Sequence, residues 1–126
     1  MINEKYYLTM LFDFYGNLLT NNQKNVLDLY CNYDLSLGEI SESKKISRQA
    51  VYDSIKRSEK KLKNFEKKLK LVERFGIVRD FLGDFSKSIV KIEKNLENPE
   101  KNITKKDIEE LKNMVDEIVK IYWIEV

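Results

Sequence analysis

The sequence predicts an all-α protein in which short, capped helices are followed by long helices with a heptad pattern. Apolar residues recur mostly at spacings of three and four, which is the period of a helix. The 126 residues include only four glycines and one proline, so there are few points at which neighbouring strands could turn. With 42% hydrophobic residues, the chain can build the core of one domain, or of one small domain with an appendage.

The first half of the chain is predicted to hold three helices whose ends are marked by local signals. The first runs from about Lys5 to Tyr15 and ends at Gly16. Two capping boxes, in which a Ser or Thr and a Glu or Gln three residues later bond each other's backbone N–H groups, begin the next two helices. They are Thr20 with Gln23 and Ser36 with Glu39. The third helix is predicted to stop near Lys44.

Cysteine and histidine counts restrict the chemistry open to this chain. Cys31 is the single cysteine, so an internal disulfide is excluded, and its place on an apolar stripe indicates a small buried hydrophobe. The chain has no histidine, which removes imidazole acid–base and triad chemistry and leaves a zinc site only carboxylates. The sequence therefore argues against an enzyme and implies no cofactor and no metal.

Neither membrane insertion nor export is predicted from this sequence. No stretch approaches the length of about eighteen apolar residues that a spanning helix needs. The opening residues MINEKYYL include an acid and no small-residue cleavage site, unlike a signal peptide. We therefore expect a cytoplasmic location.

A fourth helix is predicted to begin after Ser47 and to continue to Phe75. Its buried side is predicted to start with Ala50, Val51 and Ile55. From there, apolar residues alternate steps of four and three as far as Val72, with Ser58 as the one polar member of this heptad pattern. A continuous helix of this extent would be about 43 Å long. Gly76 is predicted to stop or kink it.

This boundary divides the chain into a helix-turn-helix domain, residues 1–75, and a C-terminal helical region, residues 76–126. The C-terminal region is predicted to complete the bundle or to dimerise. It has two further heptad patterns, separated by a loop with the only proline, and Thr104 with Asp107 opens the last helix. Trp123 and Val126 are expected to cover a hydrophobic end. Three such patterns exceed what one small helical head can bury, which favours a homodimer.

Residues 36–57, SLGEISESKKISRQAVYDSIKR, have the pattern of two helices joined by a tight corner, which is a helix-turn-helix. Residues 44–74 hold twelve basic and four acidic side chains, a net charge of +8, whereas the regions before and after them are net acidic. A local block of that sign attracts polyanions. A solvated helix in a lysine-rich chain would have the same charge, so this pattern alone leaves both interpretations open.

The candidate DNA contacts lie on the corner and on the helix that follows it. Ser47 caps this helix and leaves its first N–H groups near phosphate. The candidates for base reading on the outward side are Arg48, Gln49, Tyr52 and Asp53, because Arg can read guanine and Gln adenine. The candidates for phosphate contact are Lys56, Arg57 and Lys60. Asp53 repels phosphate unless it accepts from a cytosine or pairs with Lys56 or Arg57.

Lys44 and Lys45 complete the candidate DNA-binding residues. They fall where such corners commonly use a glycine, so that a positive φ at a lysine would cost about 1 kcal/mol.

Three segments, FDFYGNLLT, DLSLGEI and SRQAVYDSIKR, resemble the YlxM family of small proteins of low-GC bacteria to which DNA binding is ascribed. The resemblance covers about residues 5 to 75. It implies an all-helical fold with a helix-turn-helix similar to the promoter-reading module of sigma factors, and it implies homodimers. Family genes commonly neighbour those of the signal recognition particle GTPases, which implies a link to that pathway by gene position alone.

The resemblance places sigma-like base reading on Arg48, Gln49, Tyr52 and Asp53. Sigma modules usually have a basic residue where Tyr52 stands, so a promoter-like specificity does not transfer. Ser41 stands where such motifs prefer alanine, and it needs a hydrogen-bond partner or water.

Three functions remain open from the sequence. The leading interpretation is a regulatory protein that binds double-stranded DNA and dimerises through its helical half. The second is a protein adaptor of the signal recognition particle system that binds no DNA, and the third places the basic helix on structured RNA.

Overall fold

The computed structural model describes residues 3–122, and this part of the chain is helical with no strand, which confirms the all-α prediction. The helices are α1 Glu4–Tyr15, α2 Asn21–Cys31, α3 Leu37–Lys44, α4 Arg48–Leu69, α5 Leu71–Glu97 and α6 Lys105–Tyr122. A single 3-10 turn, Gly16–Leu18, follows α1. The chain divides into two compact units, residues 1–72 and 73–126, here called the head and the C-terminal unit.

Hydrogen bonds in the structure confirm the predicted starts of α2 and α3. The hydroxyl of Thr20 accepts from the backbone N–H of Gln23, and the Gln23 side chain accepts from the N–H of Thr20, both at 3.3 Å. Ser36 and Glu39 form the same reciprocal pair. These bonds satisfy N–H groups that have no partner inside the helix. Each predicted start in the head therefore depends on residues within one turn of it.

The core of the head forms where α4 packs against α1, α2 and α3. The fully buried apolar side chains are Leu11, Val26, Leu27, Ile40, Val51 and Leu62. The heptad pattern of α4 is thus covered within one chain as far as Leu62, which removes part of the reason for expecting a partner helix there. Ala50 was predicted on the buried side and is exposed, so that prediction is wrong. Cys31 is half-buried rather than fully buried.

The prediction of one helix from Ser47 to Phe75 is wrong, because α4 ends at Leu69. Lys70 adopts a left-handed conformation with φ 56° and ψ 33°, and α5 begins at the next residue. Gly76 does not stop a helix, since it lies inside α5. The break occurs where the buried Tyr15 and the side chain of Glu66 bond the first N–H groups of α5. A tertiary contact therefore overrides the local heptad pattern.

The C-terminal unit consists of α5 beyond residue 72 and α6. Its two helices meet where Ser88 Oγ lies 3.8 Å from Met114 Sδ and where the Tyr122 hydroxyl donates to the Arg74 carbonyl over 3.2 Å. The predicted start of α6 is confirmed, since the Thr104 N–H donates to Asp107 Oδ2 over 2.9 Å.

Apolar side chains of the C-terminal unit are exposed or half-buried in the isolated chain. No side chain described between residues 73 and 122 is buried, and Leu82 and Leu96 are 55% and 69% exposed. The expected covering by Trp123 and Val126 lies outside the described residues. Among the helices described, none is both long and apolar enough to cross a membrane.

Candidate nucleic-acid interface

The corner between α3 and α4 is closed by backbone and side-chain hydrogen bonds. Lys45 is left-handed at φ 56°, as predicted for one of the two corner lysines, and costs about 1 kcal/mol that glycine would not. The Ile46 N–H donates to the Ser41 carbonyl over 3.1 Å, and the Ser41 hydroxyl donates to the Ile46 carbonyl over 2.6 Å. Ser41 thereby finds the partner that the sequence required of it. Lys44, the other corner lysine, is half-buried at the end of α3.

The first turn of α4, which follows this corner, is capped by a side chain. The Ser47 hydroxyl accepts from the Ala50 N–H over 3.0 Å, which confirms Ser47 as the N-cap. The other N–H groups of that first turn face the corner, where the partial positive charge of a helix start favours an anion.

Arg48 does not extend freely away from the head but lies on α3. A Cβ atom placed on Gly38 would be 3.1 Å from Arg48 Nη2, 3.2 Å from Nε and 3.3 Å from Cζ. Three guanidinium atoms at nearly equal distance mean that the flat face of the group lies over the glycine. Arg48 remains exposed, so its outer edge stays open to a ligand. The absence of a side chain at Gly38 provides the space for this arrangement.

Sequence reasoning missed Gly38. The available signal was a glycine inside the first turn of a short helix, where it weakens the helix by roughly 0.5–1 kcal/mol relative to alanine. No described glycine has a positive φ, so the reason for Gly38 is space rather than backbone freedom.

Gln49 and Asp53 form a pair one turn apart on the exposed side of α4. Gln49 Nε2 donates to Asp53 Oδ1 over 3.0 Å. Asp53 forms an ion pair with neither Lys56 nor Arg57, which are the two residues that could have neutralised it on this helix. A role for Gln49 in reading adenine requires its amide N–H₂ to exchange this internal bond for one to the base.

Lys56 is shared between Glu59 and Tyr52. Its Nζ lies 3.4 Å from Glu59 Oε2 and 5.6 Å from the centre of the Tyr52 ring, and the Tyr52 side chain is 45% exposed. The charge of Glu59, followed by its hydrogen bond, raises the pKa of Lys56, so the amine stays protonated. Partial burial raises the pKa of Glu59, but Lys63 and then Lys56 outweigh it and lower that pKa overall. Glu59 therefore holds both lysines close to the helix.

Arg57 and Lys60 differ from Lys56 because neither forms an ion pair within the described residues. Both are exposed. At about 100° per residue, Lys60 lies on the same side of α4 as Gln49 and Asp53, opposite the buried Val51. The structure thus collects the predicted residues beyond Ser47 on one open, largely polar face of α4, with Arg48 and Arg57 at its two edges.

These features define the class of protein: an all-α protein whose N-terminal unit is a capped helix-turn-helix with an exposed face on its second helix. The family model described as "Putative helix-turn-helix protein, YlxM / p13 like" matches residues 2–103. The chain belongs to this family, UPF0122. The match extends into the C-terminal unit, beyond the part in which the sequence alone indicated a resemblance.

Curated relatives match most of the chain. A UPF0122 protein of Thermoanaerobacter sp. (strain X514) is 42% identical over 112 residues, which cover 89% of this chain and 93% of the relative. A relative from Clostridium perfringens (strain SM101 / Type A) is 40% identical, covering 89% of this chain and 99% of its own length. One from Clostridium kluyveri (strain ATCC 8527) is 56% identical over 72 residues, which cover 57% of this chain and 65% of the relative.

Proposed function

We propose that this protein is a cytoplasmic DNA-binding regulatory protein that presents α4 to the major groove of double-stranded DNA. The observation that supports this most is the open polar face of α4, which begins at a capped corner and lies within the +8 block of residues 44–74. A recognition helix reads base edges with its N-terminal residues, while flanking cations contact phosphate.

The proposed roles follow from what each side chain already contacts. Arg57 and Lys60 are the phosphate contacts that require no ion pair to be broken, and Lys56 becomes one if it leaves Glu59. Arg48 reads a base with the outer edge of its guanidinium, because its face rests on Gly38. Tyr52 offers a hydroxyl and a ring edge to the groove.

Binding of labelled duplexes, followed by fluorescence anisotropy, tests the proposal. We expect affinity to fall steeply between about 50 and 200 mM salt, because bound cations release counterions from DNA. Lys60→Ala should weaken binding to all sequences alike and reduce the salt slope by about one, whereas Arg48→Ala should cost about 1–3 kcal/mol on a preferred site and relax one base choice. A preferred site can be obtained by selecting fragments of genomic DNA. Absence of salt-dependent binding by the wild-type protein would refute the proposal.

The exposed apolar residues of the C-terminal unit support a second part of the proposal, a homodimer formed by that unit. Leu82, Leu96 and Ile108 are between 41% and 69% exposed in the single chain. Leu82→Lys should therefore shift light scattering from dimer to monomer without unfolding the head. Leu62→Ala is the matched contrast, because Leu62 is fully buried in the head and its truncation should lower the free energy of unfolding by about 2–5 kcal/mol. A folded wild-type monomer at high micromolar concentration would refute the dimer.

The same apolar residues support the alternative of a protein adaptor, for which signal recognition particle components are the partners that the gene neighbourhood suggests. An adaptor would bind neither duplex DNA nor folded RNA and would co-purify with a protein. Competition between duplex DNA and a folded RNA distinguishes DNA binding from RNA binding, because salt dependence is common to both.

A further inference from the structure

A second basic surface lies in the C-terminal unit. Four lysines line one open groove of about 510 Å³ there. Lys87, Lys91 and Lys94 follow one another along α5, and Lys101 comes from the loop that leads to α6. All four are exposed. The region as a whole is net acidic, so the charge of the sequence alone did not point to this groove.

Within residues 3–122, the lysines of this groove form no ion pair with a carboxylate. Elsewhere in the described chain, Lys5 pairs with Asp34, and Lys56 and Lys63 share Glu59. None of the four groove lysines forms an ion pair with any residue between 3 and 122. Asp107 and Glu110 line a small adjoining cleft that shares Lys91 and Asn95 with the groove, but they do not line the groove itself. Four lysines without a direct ion pair in one concave surface attract a polyanion.

We propose that this groove binds the phosphate backbone of double-stranded DNA as a second contact surface. From Lys87 to Lys94 the helix rises about 10.5 Å, and over the same length of duplex axis one DNA strand carries about three phosphates, at about 3.4 Å of axis each. The hydroxyl of Ser86 and the amide of Asn95 also line the groove, and both are side-chain types that bond phosphate oxygens.

Other polyanions fit the groove less well. Its lining includes no aromatic side chain, whereas proteins that bind single strands stack bases on aromatic rings. Its one apolar member is Val90, so the groove offers little of the buried apolar anchor that carries much of the binding energy of protein–protein contacts. The choice of duplex DNA over duplex RNA rests on the proposed function; the phosphate-binding chemistry of the groove does not.

The test uses full-length protein and a duplex of about two helical turns. The groove variant combines Lys87→Ala, Lys91→Ala and Lys94→Ala. The control combines Lys105→Ala, Lys106→Ala and Lys112→Ala, which removes the same charge from exposed positions of the same unit. A head variant combines Arg57→Ala and Lys60→Ala. Affinity is measured by anisotropy between about 50 and 200 mM salt, with duplex RNA and anionic lipid vesicles as parallel probes.

We expect the groove variant to lower the slope of log affinity against log salt by about two to three units on DNA, at up to about 0.9 for each phosphate contact. The control should change it by less than one unit, and the base preference should be unchanged. Equal effects of groove and control variants overturn the proposal, as does a groove effect confined to duplex RNA or to vesicles.

Different results would refute the proposed groove and the proposed role of α4 in DNA binding. If the head variant alone abolishes DNA binding and the groove variant has no effect, the groove is refuted and the proposed function is supported. If the groove variant abolishes binding and the head variant has no effect, the groove is supported and the role of α4 is refuted. Absence of binding by wild-type protein refutes both.

Discussion

The hydroxyl of Tyr15 donates a hydrogen bond to Glu66 Oε1 over 2.6 Å, although the two residues are 51 positions apart in the sequence. The same carboxylate oxygen accepts from the Val72 N–H over 3.0 Å, and the Leu71 N–H donates to the Tyr15 oxygen over 3.0 Å. Two side chains of the head thus satisfy the first N–H groups of α5. They stabilise the break at Lys70, where the left-handed conformation would otherwise be disfavoured.

Removing this hydroxyl should destabilise the head. We expect Tyr15→Phe to lower the free energy of unfolding by about 1–3 kcal/mol, because a bond to a carboxylate is lost and the Leu71 N–H loses its acceptor. Urea denaturation followed by circular dichroism measures the change. Tyr6→Phe is the control, since Tyr6 is 54% exposed and should change stability by less than about 0.5 kcal/mol. A Tyr15→Phe protein as stable as wild type would contradict this role.

The same pair predicts a pH dependence at the alkaline end. Burial, followed by the hydrogen bond to Glu66, raises the pKa of Tyr15 above its ordinary 10.0. In the unfolded chain Tyr15 loses its proton at the ordinary pKa, so above about pH 10 the unfolded state binds fewer protons than the folded state. The contribution to stability is therefore complete below that pH and is lost as pH rises through the folded pKa.

This pH dependence should be visible when the unfolding free energies of wild type and Tyr15→Phe are compared. The gap in unfolding free energy between wild type and Tyr15→Phe should be constant from neutral pH to about pH 9 and should shrink above about pH 10. Urea titrations at a series of pH values measure it. Comparison with Tyr15→Phe cancels the titration of the many lysines, which both proteins share. A gap that stays constant into strong alkali would contradict the raised pKa.

Cys31 should react slowly with thiol reagents. It is half-buried, and burial, its largest influence, raises the pKa of the thiol, although Thr9 and Lys5 act in the opposite direction. Less thiolate is then present near neutral pH, and the thiolate is the reacting form. Labelling of native protein should therefore be slower than labelling in urea. Equal rates in the two conditions would place the thiol in open solvent.

The parts of this fold that the sequence predicted are those encoded within one turn. Thr20, Ser36 and Ser47 cap helices through residues three positions away, so their patterns are readable without a structure. The break at Lys70 was missed because it depends on Tyr15, which is distant in the chain and which the heptad pattern does not register.

For the candidate site, too, the sequence predicted which residues are exposed but not all of their contacts. Exposure of Lys60 and Arg57 follows from helical period alone. The period also brings Gln49 and Asp53 together, since they are one turn apart, but it does not select this bond over a pairing of Asp53 with Lys56 or Arg57. The contact of Arg48 with Gly38 depends on how α3 and α4 pack, which the period does not specify. Periodicity assigns a residue to a face of the helix but does not specify what the residue contacts there.

The contact between Arg48 and Gly38 predicts a variant in which base discrimination falls while the stability of the protein does not. In Gly38→Ala, the new methyl group would lie 3.1–3.3 Å from three guanidinium atoms, closer than ordinary contact. Because Arg48 is exposed and flexible, its guanidinium should move away rather than unfold the helix. Alanine is also the better helix former, so we expect unchanged stability or a gain of up to about 1 kcal/mol. If Arg48 reads a base, discrimination at that base pair should nevertheless fall, by no more than the effect of Arg48→Ala.

Gly83→Ala provides the matched control for this experiment. Gly83 also lies inside a helix, and nothing surrounds the position that its Cβ would occupy within 4 Å. It should gain similar helix stability without changing DNA discrimination. Urea denaturation and anisotropy on a preferred site and its single-base variants give both quantities for each protein. If Gly38→Ala discriminates between these sites as sharply as wild type, the contact with Gly38 does not set the position from which Arg48 reads DNA.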